Sequence, residues 1–389
     1  MGSRQDQDLP GTVLRFMRGI VASILVLVAE FAVSSYFYDR KELVPLNIVL
    51  YNVFSGEGRG PNIFGTEPWH FYTRNLLLNF NIWFILAVAA LPLFLMAKIF
   101  NRQSPTTGLR TVVFMSPFYL WLVIFTLQPH KEERFMYPAY PALCLNAAMG
   151  LHNILAHLGH SDPNTLIGKI PAQLKLLVIV STMLGSINMG LSRMFGTYEG
   201  YHAPLSIFDP LNDLEAPLAV SPGESVCYGK DWYRFPSSYF LPNGMKAKFI
   251  KSAFDGLLPG EFSEASKSAG FGFRPGTWMM PSGMNDENKE DMGKYVDLKS
   301  CNFVVDTYFP GKEESDLEPA FLLDTVNWEI VKCVPFLDAE KTNILARTLW
   351  LPIDVAGFRR QYGQHCLLRR KEKSPEVMDE NERVQAVTI

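Results

Sequence analysis

Charged positions withdraw from the first half of the chain, and long apolar runs follow one another. Phe80–Ala97, Thr111–Pro129 and Phe135–His160 contain no Asp, Glu, Lys or Arg. Leu176–Ser192 is a fourth such run, and Gly19–Tyr38 is a fifth, interrupted only by Glu30. About 20 mainly apolar residues suffice to cross a bilayer as a helix, so the pattern predicts about five transmembrane helices. After residue 197 the pattern shortens to β-like runs rich in β-branched and aromatic residues: Ser225–Tyr228, Lys246–Ile250, Asn302–Val305, Glu329–Val334 and Gln361–Arg369. Asp338–Leu349 reads as a helix, and Ser263–Glu290, rich in Gly, Ser, Pro and Met, reads as a long loop.

Composition sharpens this split. The 389 residues average 48% hydrophobic and 19% charged, with a net charge of −3, which is ordinary for a soluble protein. Residues 1–196 carry 15 basic and 10 acidic side chains, whereas residues 197–389 carry 21 and 29. The halves, of nearly equal length, therefore have net charges of +5 and −8, as expected of two parts living in two solvents. The absence of a strong basic excess excludes a nucleic-acid-coating protein. The expected organisation is a multi-pass helical membrane region, 1–196, a mixed α/β domain, 197–373, and a disordered tail, 374–389.

Basic residues mark the cytosolic side. Arg4, Arg15 and Arg18, then Lys98, Arg102 and Arg110, then Lys169 and Lys175, fall on one side if five spans are threaded in order. The opposite side receives the loop 39–79, the short turn 130–134 and everything after about Phe195. The polar start MGSRQDQDLP gives no sign of a cleavable signal peptide. Pro45–Phe54 is too short to span and suits an interfacial segment. Thr66 and Pro68 mark a helix start, with Glu67 as its first-turn acid. Of the five cysteines, Cys227, Cys301, Cys333 and Cys366 lie in the second half and Cys144 in an apolar run. Zero to two disulfides in any of three pairings are open. Their wide spacing excludes a zinc site, and their positions in or beside β-like runs predict buried free thiols.

Two polar clusters carry candidate chemistry. In Gln128–Phe135, four charges and a histidine stand between apolar runs, bracketed by Pro129, Pro138 and Pro141. If this stretch were helical, about 100° per residue would put His130, Lys131 and Arg134 on one face and Glu132 and Glu133 on the other. A cationic face at a membrane surface suits a lipid-linked phosphate, against the plainer reading of a solvated turn with local ion pairs. In the second cluster, Trp232 and Tyr233 could stack on sugar rings while Asp231 and Arg234 bind hydroxyls. A strand end with a cation–π contact is the favoured reading there. No nucleotide loop, dinucleotide fingerprint or metalloprotease motif occurs, and no metal or cofactor is expected.

HKEERF (130–135) resembles the signature of glycosyltransferase family 22, the multi-pass mannosyltransferases of the endoplasmic reticulum membrane. PLNIVLYNVF (45–54), GTEPW (65–69), GYHAP (200–204), GKDWYRFPSS (229–238), MNDEN (284–288) and PFLD (335–338) are similar to its α-1,2-transferring branch in asparagine-linked glycosylation. The resemblance runs from about residue 10 to beyond 360. It implies a GT-C-like fold with the α/β domain in the lumen, a dolichyl-phosphate-mannose donor, and a dolichyl-diphosphate oligosaccharide acceptor. Transfer would proceed with inversion, needing a carboxylate base and positive charge for the departing phosphate. The phosphate role falls to His130, Lys131 and Arg134. The family's acidic motif, of the form D-E-x-x-N-Y-W-E-P, does not occur here. The chain is therefore expected to represent the C-terminal part of such an enzyme and to lack activity alone, with Glu67 as the remaining candidate base. The same signature is shared by glycolipid-anchor mannosyltransferases, and a catalytically silent protein binding dolichyl-phosphate sugars is the alternative of another class.

Overall fold

The computed structural model describes residues 9–54, 60–101, 105–159, 168–213, 220–261, 281–351 and 359–371. The expected tail, 374–389, together with Arg4, Arg102 and residues 263–280 of the expected loop, lies outside the described residues. The chain falls into two compact units, Met1–Gly65 with Asp255–Lys294, and Thr66–Phe254 with Tyr295–Ile389. The first contains α1 (Leu9–Tyr38) and α2 (Val44–Phe54). The segment Pro45–Phe54, expected to be re-entrant or interfacial, is helical here, with Leu46, Ile48, Val49 and Leu50 exposed.

The second unit holds the remaining membrane-length helices and the sheet. α3 (Phe71–Phe80), α4 (Ile82–Asn101), α5 (Pro105–Leu127), α6 (Tyr140–Leu158) and α7 (Ala172–Tyr201) follow in order. Among the described residues, four helices are long and apolar enough to cross a membrane: Val13–Tyr38, Ile82–Ile99, Gly108–Leu127 and Ala172–Tyr201. The expected run Phe135–His160 instead divides into a 3₁₀ turn, Glu133–Ala139, and the 19-residue α6. Asn146, His152 and Asn153 dilute the apolarity of α6, and it is not among the four.

Where a helix crosses lipid, each freed backbone group must find a partner, and the two helix-interior prolines show how. Pro117 in α5 removes one N–H and frees the carbonyl four residues back. That carbonyl, of Val113, accepts the Ser116 hydroxyl at 2.9 Å. Pro92 does the same to Val88 in α4. The Tyr119 hydroxyl of α5 enters this gap, accepting from Leu91 N at 3.0 Å and donating to Ala87 O at 2.8 Å and Val88 O at 3.1 Å. Helix α6 packs on α4 through small residues, with Ala87, Ala90 and Ala147 buried. A Cβ on Gly150 would lie 2.5 Å from Leu86 O, so only glycine permits this approach.

The sheet confirms all five β-like runs. β1 (Ser225–Tyr228), β2 (Lys246–Phe249), β3 (Phe303–Tyr308), β4 (Trp328–Leu337) and β5 (Tyr362–Arg370) form one sheet ordered β2-β1-β3-β5-β4. The first three strands pair in parallel, and β5 joins β3 and β4 antiparallel. Alternation sorts the side chains into two cores. Val226, Tyr228, Phe303, Val305 and Leu367 face one, with Ala203, Ile207, Phe208 and Leu211 from the segment after α7. Cys227, Val304, Cys366 and Leu368 face the other, with Ile250 and Trp328. The helix expected over Asp338–Leu349 is shorter, α8 (Ile344–Thr348), because Asp338 accepts the N–H groups of Glu340 and Lys341 in a turn.

The expectation of free thiols is corrected. Cys227 pairs with Cys301 and Cys333 with Cys366. Irregular spacing along the chain concealed this, because β3 and β5 bring distant cysteines to one face, and Cys333 and Cys366 are direct ladder partners. Cys144 is free and exposed.

α7 joins the helices to the sheet. Thirty residues give about 45 Å of helix, more than the roughly 30 Å hydrocarbon core. Its last turns pack on the sheet region: Trp350 N donates to Ser192 O at 3.0 Å, and the Ser192 hydroxyl donates to Trp350 O at 2.6 Å. A Cβ on Gly200 would stand 3.4 Å from Leu337.

A buried polar lock closes the sheet. The Asp231 carboxylate, fully buried, accepts from Thr307 N at 2.8 Å and from the Thr307 hydroxyl at 2.6 Å, and pairs with Arg234. His365 Nδ1 lies 2.6 Å from the same hydroxyl. Because Thr307 spends its proton on the carboxylate, His365 must donate from Nδ1. Burial pushes the His365 imidazole down to about 4, against the raising influence of Asp231. The unfolded imidazole takes a proton below about 6.5 and the folded one only near 4. Between these values the unfolded state binds more protons, so stability falls as pH falls, by roughly 3 kcal/mol across the window. Melting of the sheet, followed by amide exchange in β3 and β5, is therefore expected to drop between pH 6.5 and 4.5. His365→Gln flattens that slope; an unchanged slope contradicts the assignment.

Candidate functional site

The charged turn between α5 and α6 lies against a core of Tyr72, Leu76, Phe118, Met136 and Leu143. It is not helical at His130–Glu132, since the 3₁₀ turn begins only at Glu133. The single cationic face expected of a helix is accordingly not formed. Pro129 helps explain this, because it disfavours helical backbone at Gln128 and carries no N–H.

The three cations separate by role. Lys131 is 6% exposed. Its Nζ donates to Gln128 O at 2.5 Å and Glu67 O at 2.8 Å, so it serves as a buried brace. His130 is also buried, and its Nε2 lies 3.1 Å from Glu132 Oε1. Arg134 is the solvent-facing cation, with its side chain 68% exposed. Its Nη2 donates to Glu132 Oε1 at 2.7 Å and its Nε to Oε2 at 2.6 Å. Burial pushes the Glu132 carboxyl up, but hydrogen bonds from Arg134 and His130 outweigh this and hold it below its ordinary value. With the Arg134 side chain largely in solvent, water screens this two-point pair. The Arg134 guanidinium is thus oriented without being locked, and Nη1 takes no protein partner among the described residues.

Glu67 comes to the same place through its backbone. Its N–H donates to Pro129 O at 3.0 Å and its carbonyl accepts Lys131. The carboxylate is exposed. The helix start expected at Thr66 is corrected: residues 65–68 are not helical, and α3 begins at Phe71 after His70. The Glu67 backbone is tied to the turn instead, so the first-turn role for its side chain falls away.

Sequence reasoning missed the groups that hold the turn. The fully buried Tyr72 donates its hydroxyl to Glu132 O at 3.1 Å, and burial raises that hydroxyl to about 12, keeping its proton. Trp121 Nε1 donates to Phe135 O at 2.8 Å. Asn79 links α3 to the turn through Glu133 at 2.9 Å and receives Arg193 of α7 at 2.5 Å. The available signal was an arginine at the end of an otherwise uncharged run.

The second cluster is turned inward. Asp231 is buried in the lock described above, Trp232 stacks on Phe254 with centroids 4.2 Å apart, and Arg234 lies between the Tyr233 and Phe336 rings. Only Tyr233 presents an exposed ring. The structure therefore does not bring these four residues to the charged turn's surface chemistry. Among the described residues, no group of three His, Cys, Asp or Glu is placed to hold a metal ion.

Residues 5–242 match the Alg9-like mannosyltransferase family. The chain is 37% identical over 360 residues to alpha-1,2-mannosyltransferase alg9 of Schizosaccharomyces pombe, covering 92% of this chain and 60% of that one. It is 34% identical to alpha-1,2-mannosyltransferase ALG9 of Mus musculus, covering 92% and 57%. To the Saccharomyces cerevisiae protein of that name it is 36% identical, covering 84% and 54%. The chain thus spans between 54% and 60% of the length of these relatives. GPI mannosyltransferase 3 of Candida albicans is 30% identical over 33% of this chain. No solved structure matches. With its charged turn, membrane-length helices and sheet accounted for, this chain belongs to the Alg9-like mannosyltransferase family.

Proposed function

We propose that this chain serves the transfer of mannose from dolichyl-phosphate-mannose, in α-1,2 linkage, to a dolichyl-diphosphate oligosaccharide. The setting is the lumenal face of the endoplasmic reticulum membrane, with a multi-pass GT-C-like part over 1–196 and a lumenal α/β part over 197–373. The observation carrying this reading is Arg134: an exposed guanidinium, oriented by a weak pair, on a turn between two apolar helices. Two disulfides in the α/β part accord with an oxidising lumen. The α-1,2 reading is favoured over glycolipid-anchor transfer because the α-1,2 relatives match 84–92% of the chain and the GPI relative 33%.

In the reaction, an acceptor hydroxyl oxygen attacks the mannosyl anomeric carbon, and the bond from that carbon to the phosphate oxygen breaks. The departing dolichyl phosphate takes the bonding electrons, and the hydroxyl proton passes to a carboxylate. Arg134 meets the phosphate, displacing part of the Glu132 pair. His130 and Glu132 set its direction, and Lys131 fixes the turn behind it. The Glu67 carboxylate, held at the turn by its own backbone, is the carboxylate best placed to take the proton.

Two variants separate these roles in microsomes from cells lacking their own family member; transfer by the parental chain overturns the expectation that it is inactive alone, and its absence removes Glu67 as the base. Arg134→Ala is expected to weaken donor use roughly ten- to hundredfold, the scale of a lost hydrogen bond to a charged group, and more than Glu132→Ala does. Unchanged donor use in Arg134→Ala removes it from the phosphate role. Glu67→Gln is expected to lower the transfer rate about a hundredfold or more with donor binding intact. Parental transfer by Glu67→Gln removes it as the base.

A further inference from the structure

The sheet carries a second polar surface far from the charged turn's chemistry. A groove of about 1010 Å³ opens where β1 and β3 begin and β5 ends. Glu224, Glu329, Asn302 and Asn327 line it together with four cations, Lys299, Arg369, Arg370 and Lys371, of which Arg370 and Lys371 already donate to the Cys301 and Thr325 carbonyls. Glu329 and Arg369 are ladder partners across β4 and β5. Asn302 Oδ1 accepts from Ser225 N at 3.1 Å, which leaves its amide donors for the groove. Asn327 spends its amide donor on Asp324 at 2.8 Å, which leaves its amide oxygen as an acceptor. Glu224 Oε2 is buried without a hydrogen-bond partner, an acceptor awaiting a donor.

Resting on the mannosyl-transfer reading, we infer that this groove is a subsite for a neutral oligosaccharide, holding a non-reacting branch of the acceptor glycan. Sugar hydroxyls both donate and accept, so a site for them mixes carboxylates, amides and cations. A phosphate site would concentrate cations alone, and two carboxylates would oppose it. The position suits an extended ligand. Glu329 lies eight residues along β4 from Leu337, the residue packed on Gly200 of α7. At about 3.3 Å per residue the groove stands roughly 26 Å from that helix end. A branched glycan can be anchored there while another arm reaches the membrane face, which raises its effective concentration at the reaction centre.

The test is binding of a fluorescently labelled, branched, neutral mannooligosaccharide to the full chain in nanodiscs, with maltohexaose and a sulfated oligosaccharide as comparisons. Glu224→Gln and Asn327→Ala are each expected to weaken mannooligosaccharide binding about tenfold while melting at the parental temperature. Arg134→Ala is expected to leave it unchanged. Parental affinity in both groove variants, no measurable glycan binding by the parent, or tenfold tighter binding of the sulfated glycan would each overturn the subsite. Because no donor is present, glycan binding that persists while donor use fails counts against the transfer reading alone.

Discussion

The membrane face of this protein depends on one buried lysine. Lys131 sits within a chain segment that proline keeps from becoming helical, and its N–H donors are held away from bulk water. Two backbone carbonyls, of Gln128 and Glu67, take two of the three. The consequence reaches beyond the lysine, because Glu67 lies 64 residues earlier in the chain. Binding it pins the segment before α3 against the turn after α5, and the Glu67–Pro129 backbone bond closes the same junction. A buried donor or acceptor left unpaired costs about 1–3 kcal/mol, so this brace is worth far more than the exposed pair between Glu132 and Arg134. Strong, buried bonds therefore build the turn, and weak, exposed ones leave its outermost cation able to change partners.

The same division of labour holds in the sheet part. The groups with the most chemical character there, Asp231, Thr307 and His365, are consumed in a closed network that welds β3 and β5 to the segment after β1. Two disulfides on the opposite face tie β1 to the start of β3 and β4 to β5. α7 meets this part through close contacts at Ser192, Gly196 and Gly200, against Trp350, Arg360 and Leu337. What stays exposed is Arg134 and the Glu67 carboxylate at the turn, and the polar groove at the far end of β4.

Much of this was legible in the sequence, because periodicity reports burial directly. The five strands stand where alternating β-branched and aromatic runs lie, and four membrane-length helices where charge vanishes. The misreadings share one cause. Helical angles for His130, Lys131 and Arg134, a helix start at Thr66, and free thiols at the four sheet cysteines were all inferred from near neighbours. Distant partners complete the picture: Glu67 holds the turn that Pro129 keeps from becoming helical, Pro129 holds residue 67, and sheet register pairs Cys333 with Cys366. Likewise Asp231 reads as a sugar ligand beside Trp232 and Tyr233, until β3 delivers Thr307 to its carboxylate. The family's acidic motif is a different matter, since no local pattern in these 389 residues supplies it.

The central claim is that Lys131 builds the turn whereas Arg134 acts from it. Amide hydrogen exchange at Glu67 and at Lys131–Phe135, compared among the parent, Lys131→Met and Arg134→Ala in nanodiscs, tests this directly. The account predicts exchange at least tenfold faster in Lys131→Met, the scale of losing a bond worth about 1.5–3 kcal/mol, and near-parental exchange in Arg134→Ala. Parental protection in Lys131→Met, with loss of protection in Arg134→Ala, would contradict it.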